Sequence, residues 1–451
     1  MQILYQTVKP FDKLLKKQKV RPGQTYRPMY YVVEQPVDEG LLLYHTMTKA
    51  MLLLTPKEAM VYKEHPANLT QLIELWFLVP QSHDDRLLSR QVRDVAKMLQ
   101  KKSDAITSYT ILTTTDCNAR CFYCYEMGRS RIPMSHETAM QTADYIISHC
   151  KGKKVSLRWF GGEPLYNKPV ITQICQRLKD AGIEYTSTMT SNGYLFNEET
   201  IREAKELWLL KRVQITLDGT EKIYNRSKAY IYKGVNAYQR VIENIHRLQD
   251  ADITVCTRLN IDMHNADNLT ELAEELHREF NNTKGVYVYL HVLYEVVKGS
   301  KAVHDEQKRK YVFDKMLVIE TLLMEYGFHR PARLNREVKI NHCMADNDTS
   351  VVILPNGHIG KCEHYSEDHF VSHIGSEDWD GQMMNEFRAT RDEIDACSTC
   401  FNYPNCIRLR LCEDSINCYW EERQHILTDL QKNILRAYQK DKNKQEDEIQ
   451  D

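Results

Sequence analysis

The 451-residue chain reads as an α/β protein: a partial (β/α)6 barrel, preceded by a small α+β module and followed by a Cys-rich domain. Three observations predict this. Strand and helix patterns alternate six times between residue 106 and about residue 295. The first 105 or so residues pair short apolar strands around a polar turn and then become helical. Of thirteen Cys, three sit at 117–124 and seven between 343 and 418.

Composition narrows the function classes. Hydrophobic residues are 42% and charged residues 27%, the usual mix of a globular protein. A formal net charge of −2 supplies no global field for nucleic acid or an anionic membrane. No apolar run approaches the ~20 residues of a membrane-spanning helix. The N-terminal residues lack the apolar segment of a signal peptide, so a cytoplasmic location is expected. In that reducing compartment disulfides are not expected, and clustered Cys read as metal ligands.

Residues 1–105 form the first expected unit. Tyr30–Val33 and Gly40–His45 read as paired strands, with Met51–Leu54 as a third. Thr55-Pro56-Lys57-Glu58 is a helix start: Thr as N-cap, Pro at the first position, Glu three residues after the cap. Leu69–Val79 reads as a second helix running into a short strand.

Residues 106–330 are the expected barrel. Its strands are Tyr109–Thr113, Val155–Phe160, Glu184–Thr190, Arg212–Leu217, Ile253–Ile261 and Gly285–Leu293. Leu269, Leu272, Ala273, Leu276 and Phe280 show the helical spacing between strands. Six such units imply a parallel sheet with right-handed crossovers. Residues 300–330 read as helical, 331–425 as the Cys-rich domain, and 426–451 as an amphipathic helix with a charged tail, disordered from Lys440. Cys150, Cys175 and Cys256 stand alone and read as core thiols.

Cys117, Cys121 and Cys124 form Cys-x3-Cys-x2-Cys. Three thiolates on one short loop hold three corners of a [4Fe–4S] cluster, and a cluster normally takes four. The fourth iron is left open to a small molecule, and an open metal position marks catalysis. The alternative is zinc or core thiols, but zinc wants paired knuckles and a fourth protein ligand close by. With Tyr123 directly before the last Cys, the run resembles the signature of the radical S-adenosylmethionine (SAM) superfamily. The resemblance implies a partial barrel whose open iron binds the amino and carboxylate groups of SAM. An electron from the cluster then cleaves SAM to methionine and a 5′-deoxyadenosyl radical.

Barrel active sites gather at the C-terminal strand ends. The second strand ends in Gly161-Gly162-Glu163, where paired Gly let the backbone approach a ligand and Glu163, or a carbonyl beside it, accepts from an ammonium. This resembles the motif that holds the SAM amino group. Thr190, Ser191 and Asn192 end the third strand and offer hydroxyls and an amide to a ribose; the alternative is a turn closed by Gly193. On strand four Val213, Ile215 and Leu217 face the helices, so Gln214, Thr216 and Asp218 point into the barrel. On strand five Arg258 and Asn260 point inward. Arg258 needs a partner there: SAM, or an ion pair with Asp218 or Asp262. Tyr123, Gln214 and Arg258 complete the expected SAM contacts.

Seven Cys remain: Cys343, Cys362, Cys397, Cys400, Cys406, Cys412 and Cys418. With Gly357 five residues before Cys362, their spacing resembles the SPASM domain, which carries two auxiliary [4Fe–4S] clusters. Cys406-x5-Cys412 is two residues longer than the usual spacing, and a zinc ribbon is the alternative for 397–418. By resemblance Cys397, Cys400, Cys406 and Cys418 close one cluster, while Cys343, Cys362 and Cys412 hold the other with one iron open. Glu363 stands where sulfatase maturases carry an acidic base, or it is a solvated surface Glu.

The resemblance implies an enzyme that modifies a ribosomally made peptide through a thioether or carbon–carbon crosslink. A precursor peptide or protein would be substrate, with flavodoxin or ferredoxin as electron donor. Residues 1–105 resemble the peptide-binding module of such maturases, whose strand edge can accept a peptide strand; the alternative is a bracing domain. Two other functions compete. One is oxidation of Cys or Ser to formylglycine, as in anaerobic sulfatase maturation. The other is a non-catalytic iron–sulfur carrier or sensor, which the open three-Cys site disfavours.

Overall fold

The computed structural model describes residues 1–99, 103–280, 282–293, 306–329, 334, 336–337, 341, 343–364, 369–388, 393–406, 409 and 418–450. The first unit contains β1 (Gln2–Tyr5), α1 (Phe11–Leu14), β2 (Tyr26–Pro28), β3 (Val32–Val37), β4 (Gly40–His45) and β5 (Met51–Leu54). It continues through α2 (Pro56–Glu64), α3 (Thr70–Glu74), β6 (Leu78–Pro80) and α4 (Asp85–Leu99). Four strands form an antiparallel sheet in the order β1-β5-β4-β3, and β2 pairs with β6. The expected capping box is present: Thr55 Oγ1 accepts from Glu58 N and Glu58 Oε2 accepts from Thr55 N. β1 and α4 lie outside the elements expected from the sequence. β1 is short and half-exposed, while α4 mixes Arg and Asp into its apolar pattern.

The barrel follows as β7 (Ser108–Leu112), α5 (His136–His149), β8 (Val155–Phe160), α6 (Lys168–Asp180), β9 (Tyr185–Ser191) and α7 (Glu198–Glu206). Then come β10 (Leu210–Leu217), α8 (Glu221–Lys228), α9 (Ala237–Asp250), β11 (Thr254–Ile261), α10 (Ala266–Glu279), β12 (Val286–Val292) and α11 (Glu306–Glu325). The order β12-β11-β10-β9-β8-β7 is parallel throughout, as six β/α units require. Outward residues such as Leu157, Val213 and Val255 are fully buried beneath the helices. Cys150 and Cys175 join that core. Cys256 does not: it shares the inward parity of Arg258 and is only half-buried, because adjacent odd and even positions on a strand face opposite ways.

The C-terminal region extends this sheet. β13 (Ser350–Ile353) pairs parallel with β7, and β14 (His358–Gly360) and β15 (Ser372–His373) add antiparallel strands, giving nine in an open sheet. Cys343 and Cys362 flank these strands and pack on the barrel core. After α12 (Gly381–Arg388), the Cys397–Cys406 loop crosses to the first unit. There Thr46 Oγ1 donates to Phe401 O at 2.6 Å and Arg93 Nη2 to Pro404 O at 2.7 Å.

α13 (Trp420–Gln450) corrects the expected disordered tail, since the helix continues past Lys440. Lys, Glu and Gln are good helix formers, and Tyr5 OH donates to Asp441 Oδ2 at 2.5 Å. The same helix covers β3, where Gln431 Nε2 donates to Glu34 O at 3.0 Å. Ile434 and Tyr438 of the helix pack with Val33, Leu42, Tyr44 and Met51 on one face of that sheet. Among the described residues no helix is long and apolar enough to cross a membrane.

Candidate active site

The C-terminal ends of β7, β8, β9 and β10 deliver the predicted residues to one mouth of the barrel. β7 leads into the Cys loop, and the turn after β8 is stitched to the base of that loop. Gly162 N donates to Thr114 O at 2.9 Å and Glu163 N to Asp116 O at 3.0 Å. A Cβ on Gly161 would overlap the Thr114 carbonyl oxygen, and one on Gly162 the Asp116 carbonyl oxygen. Gly161 also sits at φ +129°, where only Gly is at ease. These glycines permit a close approach to the root of the Cys loop.

Glu163 is wholly buried, and its carboxylate is committed inside the protein. Oε1 accepts from Leu165 N at 3.1 Å and Ser191 Oγ at 2.9 Å, while Oε2 accepts from Asn192 N at 2.8 Å. Burial pushes its pKa up to about 7 against the pull of these donors. Of the carbonyls beside it, Pro164 O accepts from Thr113 Oγ1 at 3.0 Å and Glu163 O from Tyr166 N at 3.0 Å, while those of Gly161 and Gly162 accept no hydrogen bond among the described residues. Ser191 is engaged in the same way: its hydroxyl donates to Glu163 and accepts from Gly193 N at 3.0 Å, and the residue is buried.

Asn192 reaches the Cys loop directly. Its Nδ2 donates to Asn118 Oδ1 at 2.6 Å and lies 3.7 Å from Cys117 Sγ, which also accepts from Ala119 N at 3.3 Å. Burial drives all three thiols upward in pKa, Cys117 to about 12, with the Glu163 carboxylate adding to its shift. Buried thiols of this kind stay protonated unless a cation takes the proton's place. Three soft donors on one loop, held by hydrogen bonds to sulfur, suit an iron–sulfur cluster with one open iron. Among the described residues no three His, Cys, Asp or Glu side chains close into a single-ion site.

Inside the barrel Thr190, Gln214 and Arg258 are half-buried on the inward strand faces. Gln214 Oε1 accepts from Tyr289 OH at 2.8 Å, and Arg258 Nε donates to Asn260 Oδ1 at 2.8 Å. Arg258 forms no ion pair with Asp218 or Asp262 among the described residues. Asp262 accepts the amides of His264 and Asn265 at 2.7 and 3.0 Å. Asp218 instead pairs with Lys228 at 3.1 Å and accepts from Tyr123 OH at 2.6 Å. Lys228 gave no signal in the sequence, because it closes an ordinary polar helix.

Glu363 is 9% exposed rather than solvated. Its Oε1 lies 3.4 Å from Arg158 Nη1 on β8, and its Oε2 is buried with no partner among the described residues. Next to it the His364 ring packs tilted against Tyr125 with ring centroids 4.6 Å apart, and Arg129 Nη2 donates to His364 O at 2.5 Å. The Cys362 segment and the Cys loop are therefore neighbours. Cys397, Cys400 and Cys406 lie elsewhere, packed beside Tyr31, Met47 and Val92 of the first unit. Burial pushes the Cys400 thiol up to about 11, and the charges of Cys406 and Cys418 add to it. Cys412 lies outside the described residues.

A groove of about 890 Å3 opens in the first unit. Leu15, Trp76, Leu88, Val92 and Val95 line it, and Lys16, Lys19 and Arg21 stand around them.

An open parallel barrel with a three-thiol loop at its mouth defines an enzyme of the iron–sulfur class. Residues 111–279 match the family model of the radical SAM superfamily, so this segment of the chain carries the features of a radical SAM domain. That domain implies a [4Fe–4S] cluster and SAM. The chain is 29% identical over 160 residues to a probable GTP 3′,8-cyclase of Methanocaldococcus jannaschii, a match covering 35% of this chain and 50% of that protein. It thus spans about half the length of that curated relative. Among solved structures, a tagged form of anSMEcpe with bound AdoMet superposes with a TM-score of 0.56 at 14% identity, covering 73% of this chain and 98% of that one. Native anSMEcpe with bound AdoMet and Kp18Cys peptide gives 0.56 at 14% identity, covering 75% and 99%. At this identity the likeness is one of fold.

Proposed function

We propose that the protein is a radical SAM/SPASM maturase that modifies a ribosomally made peptide by a thioether or carbon–carbon crosslink. The observation that carries this reading is the contact between the Cys loop and the Cys362–His364 segment. Cys117, Cys121 and Cys124 would hold the SAM-binding cluster. Tyr123, Thr190, Asn192, Gln214, Arg258 and the carbonyls of Gly161 and Gly162 would surround SAM. When bound, the pair supplies one-electron hydrogen-atom abstraction.

Cys397, Cys400, Cys406 and Cys418 would hold one auxiliary cluster, and Cys343, Cys362 and Cys412 the other. The separate packing of the two groups supports that division. Glu363 Oε2 would take a proton from the substrate, with Arg158 orienting the carboxylate. Residues 1–105, 106–330, 331–425 and 426–451 would be the working units. The first would bind the peptide in its basic, apolar-floored groove. One fold neighbour holds a Kp18Cys peptide, which is in keeping with a peptide substrate. A cytoplasmic location with flavodoxin or ferredoxin as electron donor fits the clustered Cys.

The test is anaerobic reconstitution with iron, sulfide, SAM and dithionite, followed by mass spectrometry of a candidate peptide. The expected result is release of 5′-deoxyadenosine together with a mass loss of the peptide that depends on SAM. Intact clusters without 5′-deoxyadenosine would favour a carrier or sensor instead. A formylglycine mass on a Cys- or Ser-containing peptide would favour sulfatase-type maturation.

A further inference from the structure

Below the Cys loop lies an ion pair that the proposed chemistry leaves without a role. Lys228 Nζ stands 3.1 Å from Asp218 Oδ2, and the two side chains are 4% and 2% exposed. Tyr123 OH joins them, donating to Asp218 Oδ2 at 2.6 Å and accepting from Lys228 Nζ at 2.7 Å. Asp218 Oδ1 accepts from Asn260 Nδ2 at 3.1 Å. The ammonium also faces the rings of Tyr123 and Tyr224, 5.4 and 5.8 Å from their centroids. The backbone around Lys228 is tied to the Cys loop: Arg120 N donates to Lys228 O at 2.8 Å, and Ile231 N to Asn118 O at 3.0 Å.

Taking two charges out of water is costly, and well-packed apolar residues often stabilise a fold as well or better. Stability alone therefore gives a weak reason for this pair. Its position gives a stronger one, because Tyr123 lies between Cys121 and Cys124 in the chain and carries the contact from the ion pair to the loop. In a water-poor interior a charge acts far more strongly than in solvent. Net charge and hydrogen bonding around the sulfurs are among the levers that set an iron–sulfur potential.

We propose that the buried Lys228–Asp218 pair beneath Tyr123 sets the reduction potential of the cluster carried by Cys117, Cys121 and Cys124, with Lys228 raising it and Asp218 lowering it. This rests on the reading of the loop as a cluster site. Both are positioning residues, since neither is a ligand.

The experiment is potentiometry of the reconstituted full-length enzyme followed by electron paramagnetic resonance, reading the signal that changes on adding SAM. Lys228→Met should lower the midpoint and Asp218→Asn should raise it. Each should change the reduced-to-oxidised ratio about tenfold at fixed potential, roughly 59 mV for a one-electron couple. The double variant should return near wild type. If Lys228→Met fails to hold iron, Asp218→Asn decides: an upward shift supports the proposal and an unchanged midpoint overturns it. Shifts of one sign, or none, in both variants also overturn it. Absence of any SAM-responsive signal in the wild-type protein would instead sink the cluster reading itself.

Discussion

Gly162 donates its amide to the Thr114 carbonyl oxygen at 2.9 Å, and this bond presses the turn after β8 onto the root of the Cys loop. Gly162→Ala would drive a methyl group into the Asp116 carbonyl. Overpacking of this kind costs about 1–3 kcal/mol. The expected outcome is a lower melting temperature together with reduced iron per chain after reconstitution. Wild-type iron content and stability would show that the turn has room to shift.

Cys121→Ala should behave differently. The loop lies at the barrel mouth, outside the packed core, so the chain should stay soluble and keep its thermal transition. Formation of 5′-deoxyadenosine should vanish while iron bound by the C-terminal Cys persists. Retained SAM cleavage would remove Cys121 from the ligand set.

The basic groove should read charge on the peptide. Reversing Lys19→Glu and Arg21→Glu together should raise KM for an acidic-leader peptide about tenfold, as exposed charges near an interface act mainly on association. The rate of unproductive SAM cleavage should not change. Rising salt should weaken wild-type binding more than binding by the double variant. Equal KM values would exclude this groove as the peptide site.

Glu363→Gln keeps the shape of the side chain and removes its basicity. General-base catalysis contributes roughly 10²–10⁴-fold, so product formation should fall by at least the lower figure. SAM cleavage should continue, now uncoupled from product. The loss should be smaller at high pH if solvent base takes over the proton.

Acid should weaken the first unit through His45. This imidazole is fully buried in the sheet, and burial pulls its pKa down to about 3. The folded state therefore holds it neutral, whereas an unfolded chain takes up a proton below about 6.5. Stability is present above that pH and is lost as pH falls from about 6.5 toward 3, at up to about 1.4 kcal/mol per unit. His45→Asn should flatten the pH dependence of the melting temperature in this window. An unchanged slope would assign the acid sensitivity to other groups.

Much of the barrel is legible in the chain because parallel strands buried under helices repeat one local pattern. Val155–Phe160 matches its expected span to the residue, and Thr55–Glu58 announces its helix through capping chemistry that needs only four neighbours. Boundaries elsewhere in the barrel move by one or two residues, as at Leu210, while the expected Tyr30–Val33 strand lies at Val32–Val37, since strand ends depend on the partner strand. β1 leaves no clear pattern because four half-exposed residues have meaning only against the strand they pair with, whereas α4 was legible: Leu88, Val92, Val95, Ala96 and Leu99 recur at helical spacing.

The sequence by itself determined the donors: three thiols at Cys-x3-Cys-x2-Cys spacing, a Gly-Gly-Glu turn after the second strand, and a second set of Cys beyond residue 340. Spacing within a loop is local, so ligand chemistry survives translation into one dimension. Only the tertiary structure decided which polar groups remain available. It closed Glu163 and Ser191 onto the protein and moved Cys256 to the barrel interior. It laid α13 over β3 and set Lys228 against Asp218 and Tyr123. Hydrogen bonds and ion pairs act over about 3–4 Å, and the residues they join here stand as far as 436 positions apart in the chain. No one-dimensional pattern records which of them will meet.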